Sequence, residues 1–449
     1  MLILNGTLIQ DLSQVLPGHG LRIEGEKISA TGPDADLRAQ YPGDDILDAQ
    51  GGLIMPAKIC AHTHFYGAYA RGMSIPGPAP ADFPAILRRL WWNLDKALDA
   101  DTIRASALVC LVEAIKHGTT TLIDHHASPS FIGGSLEIIA EAVEAAGLRA
   151  ALCYEVSDRD GATSAAAGIA ENVRFAGQVQ GHPRLAATFG LHASLSLSDD
   201  TLRACVRAAE GAGLGFHIHV AEHEADEYDS LYRYGKRVVQ RLRDLGILGP
   251  RSLVAHTVHC DQSELQLLGE TQTWVTHQPR SNMNNAVGAA PLDSMIDAGL
   301  RLCLGNDGFS NEMWAEWKAA YFLHKAAHRD PRRAGGDKIA RMAMENNAAL
   351  AEMFFPGQRI GRLEAGALAD VILVDYYPYT PLSAGNLPWH ILFGFEASML
   401  RTTISSGRVL MHNRVLQTLD ERQIMQEALA LAPALWERYQ KLAGPATID

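Results

Sequence analysis

Residues 99–124 read DADTIRASALVCLVEAIKHGTTTLID, and the two rhythms inside that stretch decide the fold class. Ile103, Ala107, Leu111 and Ile115 recur at helical spacing, with Asp101 near the start as a capping residue and Gly118 as the stop. TTTLID follows at once, a short β-branched run of the kind a strand buried on both faces shows. The same alternation returns as SLEIIAEAVEAAGL (135–148) before RAALCY (149–154), and as DDTLRACVRAAEGAG (199–213) before LGFHIHV (214–220).

Outward from this core, the runs that read as buried parallel strands are KICAHTH (58–64), TTTLID (119–124), RAALCY (149–154), LAATFGLH (185–192), LGFHIHV (214–220), SLVAH (252–256), TWVTH (273–277) and LRLCLG (300–305). Eight such runs alternating with helical segments predict an α/β chain built on a (β/α)8 TIM barrel over residues 56–355, with functional residues at the strands' C-terminal ends. A doubly wound sheet is the structural competitor, but no GxGxxG follows the first strand. Residues 1–55 and 356–420 alternate short apolar runs with Gly and Asp turns, which predicts a small β-sandwich domain formed from both ends of the chain. Residues 421–449 make a C-terminal helical tail with an apolar stripe, placed to pack on the barrel or on a partner.

Bulk properties exclude several classes. The net charge is -12, from 39 basic against 51 acidic residues, with no basic run, which argues against nucleic acid as a partner. Six cysteines lie singly in apolar stretches without a CxxC pair, as in a reducing compartment. The opening MLILNGTLIQDLSQVL lacks the charged n-region and long apolar core of a signal peptide, and no stretch approaches the ~20 apolar residues of a membrane span. A cytoplasmic location is expected.

The chemistry gathers at the expected strand ends. His62 and His64 lie two apart on a strand and so point to one side. The fifth run ends in HIHVAE, the sixth in AHTVH, the seventh in VTHQP and the eighth in LGNDG. His62, His64, His219 and Asp307 supply three or four N/O ligands for one divalent metal per chain, with a position left for water. Singly, each could be a buried histidine on a backbone carbonyl, or an aspartate in a turn. His217 lies one layer deeper and reads as packing or support, and His223 as solvated. Glu222, beside the metal set without belonging to it, can shuttle protons to a substrate nitrogen; its bland reading is a helix-start carboxylate. His256 can hold the attacking water or stabilise developing charge. Phe65 and Tyr66 can stack on a flat ring. His125, His126, Glu155 and Trp314 are further pocket candidates, with at most one of His125 and His126 facing the site.

With these motifs in hand, the chain resembles the amidohydrolase superfamily, in the branch of cytosine deaminase, guanine deaminase and the triazine chlorohydrolases. The resemblance runs the whole length, through MPAKICAHTHFYGAYARGM, EAIKHGTTTLIDHHASP, HIHVAEHEADEYD, VAHTVHCD, THQPRSNMNN, LGNDGFSNEMW and GRLEAGALADVILVD. LIDHHASP and NLPWHILFGFE look most like the SsnA aminohydrolases. The resemblance implies metal ligands at His62, His64, His219 and Asp307, with zinc or iron as the metal. It also implies Glu222 as proton shuttle, His256 as water-orienting histidine and His192 as a substrate contact, with Asn282 and His277 in a matching segment. Ala57 and Lys58 depart from the family's usual Gly and apolar residue. LAATFGLH lacks the lysine that two-metal members carbamylate, which favours a single metal. The implied reaction is hydrolytic deamination of a cyclic amidine such as a purine, pterin or pyrimidine, by a homo-oligomer. Loss of another group on the same centre is the alternative, and a non-catalytic scaffold on this fold is a remote third reading.

Overall fold

A computed structural model describes residues 1–444, so the last five residues of the expected tail lie outside the described residues. The N-terminal segment folds as β1 (Leu2–Leu4), β2 (Thr7–Asp11), β3 (Gln14–Pro17), β4 (His19–Glu24), β5 (Lys27–Pro33), β6 (Ile46–Asp48) and β7 (Leu53–Pro56). The parallel core follows as β8 (Lys58–Thr63), β9 (Thr119–His126), β10 (Arg149–Tyr154), β11 (Leu185–Ala187), β12 (Phe189–Ala193), β13 (Phe216–Val220), β14 (Leu253–His256), β15 (Trp274–His277) and β16 (Arg301–Leu304). Four late strands complete the set: β17 (Val371–Val374), β18 (Leu400–Ser405), β19 (Arg408–His412) and β20 (Val415–Leu416).

The chain's two ends meet in a seven-stranded sheet ordered β20-β19-β18-β17-β7-β2-β3, where β7 pairs antiparallel with β17 in the register Leu53↔Val374 to Pro56↔Val371. A second sheet, β5-β4-β1-β6, shares an apolar core with it that includes Ile3, Leu21, Ile28, Ile54, Val371 and Ile404. Burial of these side chains, at about 1.5–3 kcal/mol each, holds the two ends of the chain together.

The parallel strands form one sheet ordered β11-β10-β9-β8 and another ordered β12-β13-β14-β15-β16. Main-chain bonds cross both seams. At one, Thr188 N donates to Leu152 O (3.1 Å), Val156 N to Gly190 O (3.1 Å) and His192 N to Val156 O (3.0 Å). At the other, Asn306 N and Asp307 N both donate to His62 O (3.0 and 3.1 Å), and His64 N donates to Asp307 O (3.1 Å). Gly305 permits that approach, because a Cβ there would sit 2.8 Å from both the N and O of His62. The fourth run, expected as one strand, breaks at Thr188, where the chain leaves β10 and takes up β13 as its partner.

Local signals mostly match their elements. The helix Ala100–Lys116 buries Ile103, Ala107, Leu111 and Ile115. Its N-cap, however, is Asp99 rather than Asp101: Asp99 accepts from Thr102 N in a capping box, while Asp101 sits inside the first turn. Residues Glu421–Ala443 form one helix that packs on Ala100–Lys116 and on Trp92–Ala97. Tyr439 in that helix donates its hydroxyl to Arg89 O (2.7 Å). Among the described residues no helix is long and apolar enough to cross a membrane.

Candidate metal centre and active site

Alternation along β8 sends His62 and His64 to one side, and the same alternation along β13 does so for His217 and His219. Each ring of the cluster has its Nδ1 engaged. His64 Nδ1 donates to His125 O (2.6 Å) and His219 Nδ1 donates to His192 O (2.8 Å). His62 Nδ1 lies 2.8 Å from His217 Nε2, with no other partner for that nitrogen. These contacts leave the Nε2 lone pairs to converge: His64 Nε2 is 3.1 Å from His219 Nε2, and His62 Nε2 has no hydrogen-bond partner. Asp307 Oδ1 joins them at 2.9 Å from His64 Nε2 and 3.4 Å from His62 Nε2.

Facing lone pairs and a carboxylate, nearly all withdrawn from water, call for a cation at their centre. Burial holds His62 down to about 3 and His219 well below the ordinary range, so these rings stay neutral, as ligands must be. Burial also opposes charge on His64, but the Asp307 and Glu155 carboxylates together outweigh it and raise His64 up to about 9, so a cation bound here would displace the proton that His64 Nε2 otherwise shares with Asp307. The donor set fits one divalent metal bound by three imidazoles and a carboxylate oxygen.

His256 lies close enough to His62, His219 and Asp307 for its donor nitrogen to group with theirs, and Glu222 stands beside it. Glu222 Oε2 lies 3.5 Å from His256 Nε2, and Oε1 accepts from Asn285 Nδ2 (3.3 Å). Burial pushes the Glu222 carboxyl up to about 7, partly offset by His256. His256 Nδ1 donates to Asn282 Oδ1 (2.9 Å), which turns Nε2 toward Glu222. Both His256 (φ 74°) and Asp307 (φ 57°) adopt left-handed backbone conformations, a strain of order 1–3 kcal/mol each that the surrounding hydrogen bonds sustain.

A cavity of about 670 Å³ opens above the cluster, with His64, His192, His219, Glu222 and Asp307 among its polar lining and Tyr66, Trp91, Trp92 and Phe309 among its aromatic walls. His192 lines it with its ring held by Ser196 Oγ at 2.6 Å. Tyr66 lines it as well, whereas Phe65, its neighbour on the short helix Phe65–Ala70, turns into the core. Three further expected substrate contacts lie off the cavity. His125 is buried beneath the cluster, its Nε2 donating to His217 O (3.1 Å) and its carbonyl holding His64. Asn282 is buried against His256. Trp314 packs under Lys58 Nζ (3.6 Å from the ring centre) and against Phe395, because the chain runs away from the strand ends after Asp307.

His126 bonds Ser128 Oγ (2.9 Å) near Tyr154, and His277 pairs with His324 (3.0 Å), both away from the cavity. His223, expected to be solvated, caps the helix Glu224–Tyr234 through Ala225 N and also lines the cavity. Sequence reasoning missed Trp91, Trp92, Ser281 and Asn285 as cavity residues. The WW pair in LRRLWWNLD and the polar run SNMNN were the available signals.

Comparison with known proteins bears on the family and the fold. The model of the amidohydrolase family matches residues 53–410. The chain is 33% identical over 403 residues to a 5-methylthioadenosine/S-adenosylhomocysteine deaminase of Haloarcula marismortui, covering 88% of this chain and 90% of that one. It is 31% identical over 422 residues to a 5'-deoxyadenosine deaminase of Methanosarcina mazei, covering 93% of each. Among solved structures, an adenosine deaminase from Xanthomonas campestris with bound zinc superposes with a TM-score of 0.85 at 22% identity, over 97% of this chain and 98% of that one. An atrazine chlorohydrolase from Arthrobacter aurescens complexed with zinc gives 0.77 at 20%, over 96% and 100%. The chain belongs to the amidohydrolase family.

Proposed function

We propose that this chain is a zinc-dependent aminohydrolase that deaminates an aminopurine carried on a larger group, as in a purine nucleoside. The observation that carries the reading is the gathering of His62, His64, His219, His256 and Asp307, whose donor atoms fall into overlapping groups, with Glu222 beside His256 at the base of a cavity with aromatic walls. At about 670 Å³ the cavity is roomier than a bare heterocycle requires. The similarity to deaminases of 5'-substituted adenosines points the same way.

When bound, a divalent ion supplies the Lewis acidity that makes water a nucleophile near neutral pH. His62, His64 and His219 would hold the ion through their imidazole nitrogens and Asp307 through its carboxylate. Tyr66, Trp91 and Trp92 stack on the ring and exclude bulk water. Glu222, whose carboxyl burial raises to about 7 so that it can carry a proton near neutral pH, gives that proton to the ring nitrogen beside the amino-bearing carbon. His256 accepts a hydrogen bond from the attacking water, and Asp307 takes its proton. The new C–O bond forms, Asp307 passes the water's proton to the amino group, the C–N bond breaks with loss of ammonia, and the remaining hydroxyl proton restores Glu222. Water and cyclic amidine thus become a ring amide and ammonia.

The same reading takes the two parallel sheets, joined at both seams, as one closed (β/α)8 barrel over 56–355. It takes the terminal sheets as a β-sandwich domain of 1–55 plus 356–420, with 421–449 as a tail. Exposed Phe322, Phe393 and Trp389 support a homo-oligomer, and the unpaired cysteines support a cytoplasmic location.

The test is ammonia release by metal-assayed protein across adenosine-type nucleosides, free purines, pterins, pyrimidines and small guanidines. Release from the nucleosides above the free bases sustains the reading. Release from another class alone refutes the substrate. Product without ammonia, at one metal per chain, refutes deamination in favour of another leaving group.

A further inference from the structure

The short helix Pro279–Asn284 follows β15 and takes no direct part in the chemistry above. Three side chains from this helix and the residue after it nonetheless each meet one of the working groups. Asn282 Oδ1 accepts from His256 Nδ1, as described. Ser281 Oγ donates to Asp307 Oδ2. Asn285, the next residue on, uses one amide N–H on Glu222 Oε1 (3.3 Å) and the other on Ser281 Oγ (3.2 Å). Its own Oδ1 accepts from Asn284 Nδ2 (3.1 Å). The orientation of the Asn285 amide follows from its partners, since the Ser281 proton is committed to Asp307 and Glu222 Oε1 accepts whether the carboxyl is ionised or carries its proton on Oε2.

This chain of bonds runs Glu222–Asn285–Ser281–Asp307 and joins two carboxylates that belong to different strands. It engages one oxygen of each. Asp307 is left with Oδ1 for the histidine cluster, and Glu222 with Oε2, the oxygen 3.5 Å from His256 Nε2. Two further contacts anchor the helix. Arg280 Nε donates to buried Glu316 on Met313–His328, and Arg280 Nη2 donates to Ser310 O (2.7 Å) in the loop after Asp307. The bridge is therefore held from the same side as the loop that carries Asp307.

We propose that Ser281 and Asn285 are positioning residues that select which oxygen of Asp307 and which oxygen of Glu222 do the work, and that they keep the two carboxylates in fixed relation. The proposal rests on the reading of Glu222 and Asp307 given above, but its geometric half can be tested without turnover.

The experiment compares Ser281→Ala, Ser281→Thr, Asn285→Ala and the near-isosteric Asn285→Asp with the wild-type holoenzyme. It measures steady-state kinetics, zinc per chain, thermal midpoint and the crystal structure of each variant. Ser281→Ala and both Asn285 variants should lose about 10²-fold in kcat with KM within about threefold. Their crystals should show the Asp307 or Glu222 carboxylate rotated. Ser281→Thr, which keeps the hydroxyl, should stay within about threefold of wild type. A merely structural role would let Asn285→Asp, which preserves shape, keep its kcat, and that result overturns the proposal. So does Ser281→Ala with an unmoved Asp307 and an unchanged kcat. If the wild type releases no ammonia from any substrate, the functional reading fails. Unrotated carboxylates in the variant crystals would then still overturn the positioning claim, and rotated ones would still sustain it.

Discussion

The two ends of the parallel strands treat charge in opposite ways. At the N-terminal end of β10, buried Arg149 meets Asp370 Oδ2 (2.6 Å), Thr121 Oγ1 (3.0 Å) and Ser406 Oγ (2.8 Å), and Asp370 Oδ1 accepts from Ser406 N (2.7 Å). At the N-terminal end of β8, Lys58 pairs with Glu312 (3.2 Å) over the Trp314 ring; burial pulls it down to about 8, against the pull of Glu312. Charge there meets counter-charge, with only Arg149 Nε of that guanidinium left without a partner. At the C-terminal ends of β8 and β13 and just beyond β16, three lone pairs and a carboxylate oxygen face one another with no donor between most of them. One end resolves its electrostatics within the chain, which is what stability asks. The other leaves them for a ligand to resolve, which is what chemistry asks.

The contrast breaks most visibly if the working end is disarmed. Glu222→Gln should cut kcat by about 10³-fold or more while leaving zinc per chain and the thermal midpoint near wild type, read by ammonia release and metal analysis. A variant turning over near the wild-type rate would remove Glu222 from the reaction. At the opposite end, Asp370→Ala leaves the Arg149 guanidinium buried without its counter-charge and should cost about 3–5 kcal/mol of stability by chemical denaturation. The kcat of the folded fraction should not change. A variant that loses rate but not stability would erase the distinction between the ends.

Two smaller effects sharpen it. His217→Leu removes the group that faces His62 Nδ1 and should weaken zinc about 10- to 100-fold in chelator competition. The smallest is in the pH profile. Glu222 is raised above the ordinary carboxyl range, so it holds its proton up to about pH 7 and loses it above. A proton donor of that kind makes kcat/KM fall about tenfold per unit as pH rises beyond about 7. Replacing His256, which lowers Glu222, should move that limb to higher pH in the residual rate.

Much of the framework could be read from the chain, because strands buried on both faces are written as apolar runs and their helices as 3.6-residue stripes. The HxH spacing similarly shows two rings on one side of a strand. The break at Thr188 was hidden, since LAATFGLH is apolar throughout and only the choice of neighbouring strand divides it. Asp99 and Asp101 are equally good caps by type, and the capping box with Thr102 decides between them. Phe65 and Trp314 read as pocket aromatics because sequence shows proximity to a strand end and not the direction of the following turn. Ser281 and Asn285 left almost no trace, since short polar side chains in a polar run acquire meaning only from carboxylates brought in from distant strands.

The seam at Gly305 has a consequence for assembly. His62 and Asp307 come together only where β8 meets the segment after β16, across nearly the full span of the parallel core. Unless that junction is made, His62 and Asp307 are far apart, so an ion held as proposed would recognise the folded protein over the unfolded chain. By mass action, a free ion at about a thousandfold above its dissociation constant would then add about 4 kcal/mol to the folded state. Such an ion would serve as a clasp on one of the molecule's longest-range contacts, and metal supply would govern how long the protein lasts as well as how fast it works.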